Sequence, residues 1–389
     1  MKRITAFLVA LCLFCSTVYG LHIYSEKAIN MNNNDFSTWS NKAKFSSTDS
    51  IKANLNDNSI VVFGSSEFQH GQKTIYHPKK MFKDFKFNPM LIGAGYYQCL
   101  QHAITLTAIG DEIKTKKVVL LLSPSWFRKE GVKDTAFSSR FSENAYLEML
   151  ENNEISSETK DYIIQRTRKL LNVDDATLKR VEIYNKVELG QESSFMDRFN
   201  YYVYKNVNTE KSRQSVIFQW YTTMFGEKQN NVRADRDINW KEYEAKAQIQ
   251  GERKSDNPFY MTPLGFAKVQ CKYNGKKIER KFVNCYSESP EYDDLRCFLD
   301  ICKEMNVEPL LVSLPVNGYW YDYTGFPKET RSKYYENIRN IAAEYNVELA
   351  DLSNEEFNKY FFEDSVHLAG KGWVKVNEIL YDFYKEDKE

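Results

Sequence analysis

Three short runs without a polar residue limit what this chain can fold into. They are Ile60 to Phe63, Val118 to Leu122 and Leu310 to Val312. A strand with one wet face alternates apolar and polar residues, whereas a strand covered on both faces does not. Such uninterrupted runs therefore point to a parallel sheet sandwiched between helices. Val347 to Leu352 is a weaker fourth run. Helical patterns follow the later ones. Leu295, Phe298, Leu299, Cys302 and Met305 share one face, as do Tyr334, Ile338, Ile341 and Tyr345, and then Trp373, Val376, Leu380 and Phe383. Strand and helix in alternation predict an open α/β sheet.

The stretch from about 135 to 260 breaks this rhythm. It carries charged, aromatic-rich helical segments such as "SSETKDYIIQRTRKLL" and "NWKEYEAKAQIQGERK". We read it as a helical insertion within one α/β domain spanning 27–389; a separate second domain is the alternative. With 389 residues, 42% apolar and 27% charged, the chain is long and apolar enough to bury a full core.

Residues 1–26 are of another kind. Lys2 and Arg3 precede an apolar segment in which no Asp, Glu, Lys or Arg appears before Glu26. About 20 apolar residues span a bilayer as a helix, and positive charge ahead of the span keeps that end in the cytoplasm. A single-pass membrane anchor is expected, with everything after it outside. A cleaved signal peptide, ending near Val18-Tyr19-Gly20, is the alternative.

Lysine plus arginine and aspartate plus glutamate both number 53, so no global charge draws the chain to nucleic acid. Five cysteines lie beyond the leader, an odd number with no CxxC pair. Neither a disulfide framework nor a zinc site is expected, and no cofactor is called for. Asn274-Gly275 marks a hairpin turn in whose register Cys271 faces Ile278 rather than Cys285.

The first apolar run ends in Gly64-Ser65-Ser66, which puts a serine just past the carboxyl end of a strand, where open α/β sheets bind ligands. A serine hydroxyl attacks poorly without a base, usually a histidine. The chain has five. His22 lies in the leader, and His70 sits four residues after Ser66, badly placed to reach back. His77 precedes a proline and reads as a surface or packing residue. His102 shares an apolar face with Cys99 and Leu106, as a satisfied core residue would. His367 differs: Asp364 stands three residues before it and Gly370-Lys371-Gly372 just after. That carboxylate can accept the Nδ1 proton and leave Nε2 for the serine. A capping aspartate beside a space-filling histidine is the plainer alternative.

Gly64-Ser65-Ser66 and Asp364-x-x-His367 resemble the SGNH (GDSL-like) serine hydrolases. With "HP" at 77–78, "SPSWF" at 123–127, "PVNGYWYDYTG" at 315–325 and "DSVHLAGKGW" at 364–373, the whole chain resembles the DltD family of D-alanyl transfer proteins. The resemblance implies a flavodoxin-like α/β/α sandwich, with Ser66 as nucleophile, His367 as base and Asp364 as its orienting carboxylate. It also implies an extracellular domain that passes D-alanine to lipoteichoic acid, working with a membrane-bound O-acyltransferase that belongs to the same pathway as the D-alanyl donor. A D-alanyl esterase or thioesterase of the same fold, or a non-catalytic scaffold, are the alternatives. Ser125 stands where the family's middle motif has glutamine, and the asparagine that SGNH enzymes use there is absent. Oxyanion donors are therefore expected among the backbone N–H groups of Ser66 and of Gly93 or Gly95, with the Ser125 hydroxyl as a substitute. Gly93 and Gly95 are otherwise read as turn glycines of positive φ. Residues 317–326 are expected as an aromatic loop over the site or a packed cap on the core.

Overall fold

In the computed structural model, which describes residues 2–29, 43–224, 234–273 and 286–386, five strands form one sheet. They are β1 (Ser59–Phe63), β2 (Asn88–Ile92), β3 (Lys117–Leu122), β4 (Glu308–Ser313) and β5 (Glu348–Asp351). The order is β2-β1-β3-β4-β5, every pair parallel, with Val61 beside Val118, Leu120 beside Leu311 and Val312 beside Ala350. This is the doubly wound, flavodoxin-like order, whose topological switch lies between β1 and β3. Of the five strands, β2 was not legible beforehand. Its "NPMLI" contains a proline, which the ladder accepts because β2 is an edge strand and Pro89 falls at a position that donates no ladder hydrogen bond.

Alternate residues of each strand feed two cores. Val61, Phe63, Val118, Leu120 and Leu311 face helices α2 (Cys99–Ile109), α8 (Glu291–Glu304) and α9 (Lys328–Tyr345). Ile60, Val62, Val119, Leu310 and Val312 face α10 (Gly370–Lys385) and the segment from Phe68 to Phe87. All eleven residues of α2 are buried, because a further helix layer covers its outer side.

That layer follows β3. It comprises α3 (Glu143–Glu151), α4 (Ser157–Leu170), α5 (Asp175–Glu188) and the long α6 (Phe195–Met224), whereas α7 (Trp240–Lys254) packs on the opposite face of the sheet with α10, its Ala247 in that second core. Tyr146, Met149, Ile163 and Tyr184 of this layer belong to the same core as the sheet. A buried ion pair joins them too, Arg166 of α4 gripping Asp294 of α8 at 3.1 Å.

Helix α1 (Lys2–Ile29) is long and apolar enough to cross a membrane over Lys2–Ser25. Its far end docks on α6 through His22 Nδ1 and Glu210, 2.9 Å apart. Cys271 lies in a single helical turn, Gln270–Lys272, not a strand, and the hairpin expected at Asn274-Gly275 lies outside the described residues.

Candidate active site

The β1 turn is built from close approaches. A Cβ on Gly64 would come within 2.7 Å of the Phe68 ring, so only glycine lets that ring fold back beneath the strand end. Gly64 N–H still bonds Ile92 O at 3.1 Å. Ser65 donates its hydroxyl to Ala94 O (3.0 Å) and its N–H to the buried carboxylate of Glu67 (2.8 Å). Glu67 thus braces the turn directly. Ser66 follows as the first residue of a 3-10 turn, Ser66–Gln69.

The opposite wall comes from the end of the chain. Phe362 bridges Leu368 and Ala369 N–H bonds Phe361 O, closing a tight loop that presents His367 immediately before α10. Trp373 of α10 is fully buried, stacks on Phe68 and donates Nε1–H to the His70 carbonyl at 3.2 Å. Asn377 reaches Tyr76 O at 2.6 Å. One helix therefore holds both the serine segment and the histidine loop.

Ser66 Oγ lies 2.8 Å from His367 Nε2, and His367 Nδ1 lies 2.9 Å from both carboxylate oxygens of Asp364. Asp364 also accepts the N–H groups of Val366 (3.1 Å) and His367 (3.0 Å). Burial works against the charge on Asp364, but the His367 hydrogen bond and charge outweigh it and hold the carboxyl well below its usual range. Burial also opposes charge on His367, yet the bond to Asp364 and the carboxylates around it raise the imidazole above its ordinary value. With Nδ1–H donated to Asp364, Nε2 is the nitrogen that faces Ser66 Oγ as an acceptor.

Gly95, Tyr96, Gln98, Ser125 and Arg128 line a groove of about 500 Å³ that opens on Ser66. The Ser125 hydroxyl lies 3.0 Å from that of Ser123. Gly93 does not line the groove; it packs behind, where a Cβ would sit 2.0 Å from Gly64 O. Neither glycine has the positive φ expected of it. The left-handed residue of this loop is Tyr96, at φ 74°. Tyr96, Gln98 and Arg128 carried no sequence signal, since the loops that bring them together follow different strands.

The other histidines sort themselves by burial. His102 lies in the core against Phe63, and burial pushes it down to about 3. His77 is packed edge-on to Trp373, bonds Phe68 O at 3.1 Å, and is pushed down to about 4 by burial. His70 makes no bond to Ser66, but its ring lies parallel to His367, 3.6 Å centroid to centroid and 7° from coplanar, a contact its sequence position did not suggest. His70, Asp364 and His367 bring ligand-type atoms within 4.8 Å of one another. Both His367 nitrogens are already engaged, and parallel rings aim their lone pairs side by side rather than at one point. That is hydrogen-bonding geometry, not coordination geometry.

Residues 317–326 form a short helix, Gly318–Tyr323, whose Trp320 packs with Phe259 and Met261. Asn317 anchors it by donating its N–H to Ser365 O at 3.0 Å, so it buttresses the histidine loop from outside the groove.

A parallel α/β sheet with a hydrogen-bonded serine, histidine and aspartate at its carboxyl edge resembles the arrangement of the SGNH-type serine hydrolases. The family match is more specific. The model of the DltD protein family matches residues 35–385. Protein DltD of Bacillus subtilis (strain 168) is 33% identical over 342 residues, covering 85% of this chain and 83% of that protein. Protein DltD of Staphylococcus aureus is 25% identical over 334 residues (81% of each), and that of Lacticaseibacillus rhamnosus 25% over 347 residues (85% and 79%). The chain belongs to the DltD family, which is involved in the D-alanylation of teichoic acids.

Proposed function

We propose that this protein is a D-alanyl transferase working through an acyl-serine at Ser66. The observation that carries the reading is the continuous chain of hydrogen bonds from Ser66 through His367 to Asp364. Ser66 Oγ attacks the carbonyl carbon of an activated D-alanyl ester while its proton passes to His367 Nε2. The negative charge on the tetrahedral oxygen is met by the N–H groups of Ser66 and Gly95 and by the Ser125 hydroxyl. Collapse breaks the bond to the leaving group, which takes the proton from His367. A hydroxyl of lipoteichoic acid then gives its proton to His367 and attacks the D-alanyl-Ser66 ester, and the same proton returns to Ser66 as the product leaves.

Asp364 keeps Nδ1 protonated throughout and stabilises each imidazolium as it forms. The raised imidazole and depressed carboxyl are what that role requires. Residues 1–26 serve as a retained anchor with the amino terminus in the cytoplasm, because Lys2 and Arg3 precede the span. The α/β domain, with its helical insertion at about 135–260, then works outside the membrane. It takes D-alanine from a donor handled by the membrane-bound O-acyltransferase of the pathway.

The experiment combines the full-length protein with a D-alanyl donor, with and without lipoteichoic acid. Transfer predicts D-alanine on the acceptor. Free D-alanine alone, unchanged by acceptor, makes the protein an esterase. A scaffold releases and transfers nothing.

A further inference from the structure

The stack of His70 on His367 joins two matching pairs. Consecutive residues of one loop, Glu363 and Asp364, each hold one imidazole by Nδ1: Glu363 Oε1 lies 2.8 Å from His70 Nδ1, and Asp364 lies 2.9 Å from His367 Nδ1. The rings lie face to face at 3.6 Å. Each partner in the upper pair is itself fixed. His70 N–H bonds Glu67 O at 3.0 Å and its carbonyl receives Trp373 Nε1–H. Glu363 N–H bonds His367 O at 2.7 Å, and its carbonyl accepts both the N–H and the hydroxyl of Thr262, each at 3.1 Å. Glu363 and His70 are also mostly buried, with 19% and 16% of their side chains exposed.

From this geometry we infer that His70, oriented by Glu363, is a positioning residue that holds the plane of His367 and stabilises its imidazolium from the ring face. Asp364 fixes only one edge of the His367 ring, about which the ring can still rock. A flat neighbour in van der Waals contact removes that freedom and keeps Nε2 aimed at Ser66. When His367 takes the serine proton, the new cation lies over the π face of an imidazole whose Nδ1–H is donated to a carboxylate. That is a cation–π contact in a site shielded from water. The other charges facing His367 are Asp364, the buried Glu67 beneath it, Glu363, and Lys268, whose ammonium lies 3.7 Å from Asp364 and 3.9 Å from Glu363. The inference rests on His367 acting as the base for Ser66.

The test uses the full chain in detergent and two readouts. The first is the pH profile of acylation by a D-alanyl ester in His70→Ala and His70→Phe. His70→Ala is expected to slow acylation roughly three- to thirtyfold, the range of a lost cation–π contact, and to move the midpoint of the profile to lower pH. His70→Phe, which restores a flat face without nitrogen, is expected to recover most of both. The second is the NMR titration of His367 in ring-labelled protein, which needs no turnover. Its midpoint is expected to fall in His70→Ala and return in His70→Phe. An unchanged His367 titration in His70→Ala would overturn the inference, as would a rate loss with an unmoved midpoint that His70→Phe does not recover. If acylation is absent in every form while the titration still shifts, the stacking role stands and the acyl-serine reading fails.

Discussion

Ser66 Oγ and His367 Nε2 are separated by 301 positions in the chain and by 2.8 Å in space. The bond means little unless His367 presents the right nitrogen, and Asp364 decides that. Asp364→Asn keeps the shape but offers an amide that no longer demands an Nδ1 proton. Acylation of Ser66 should fall on the order of 10³–10⁴-fold, and the melting temperature near neutral pH should fall as well because the stabilising carboxylate is gone, as measured by single-turnover acylation beside a melting curve. Equal rates for the two proteins would remove Asp364 from the mechanism.

The pH dependence follows from the directions of the two shifts. His367 must be neutral to accept a proton, and its folded value lies above the ordinary one. The acylation rate should therefore rise with pH through a midpoint above about 6.5. Stability moves the other way at this group. The raised histidine contributes fully below its unfolded value, and that contribution is lost as pH rises through the folded one. Asp364, depressed, contributes above its unfolded value and loses this as pH falls through the folded value. A pH–rate profile with its midpoint below 6 would contradict the assignment.

Gly93 sets how closely the ends of β1 and β2 approach. A methyl there would meet Gly64 O at 2.0 Å, backbone against which nothing can swing aside. Gly93→Ala is expected to cost roughly 1–3 kcal/mol by denaturant unfolding, the usual penalty of overpacking. It should also lower acylation, because Gly64 and Ser65 move with the strand end. Wild-type stability in this variant would mean that the turn yields more easily than its packing implies.

The helical layer after β3 is tied to the sheet domain by Arg166 and Asp294, the latter fully buried. Tyr162 adds its hydroxyl at 2.8 Å, and the neighbouring Glu291 accepts Val132 N–H at the rim of the groove. Arg166→Met strands a buried carboxylate and should cost about 3–5 kcal/mol. Arg166→Met combined with Asp294→Leu should recover much of this. Additive losses in the double variant would show that the pair is not coupled.

Much of this fold was legible because the sheet is parallel. Strands covered on both faces have no alternation to hide them, so Ile60–Phe63, Val118–Leu122 and Leu310–Val312 stood out, while "NPMLI" did not. The pairing of Ser66 with His367 could be reasoned from one carboxylate at the right spacing. The stacking of His70 could not, because it depends on a ring face and on Glu363, whose partner lies 293 positions away. The positive φ expected at Gly93 or Gly95 failed for a different reason. At Gly93 glycine answers to space for Gly64 O, a Cβ on Gly95 would meet nothing within 4 Å, and the unusual backbone falls on Tyr96.

The central claim is that D-alanine passes through Ser66. Intact-mass and peptide analysis of the full-length protein, quenched in acid after brief exposure to a D-alanyl donor without acceptor, tests it directly. The account predicts one added D-alanyl group on the peptide that contains Ser66, lost on adding lipoteichoic acid and never formed in Ser66→Ala. Cells carrying Ser66→Ala with wild-type ester-linked D-alanine on their teichoic acid, and no adduct on the native protein, would contradict it.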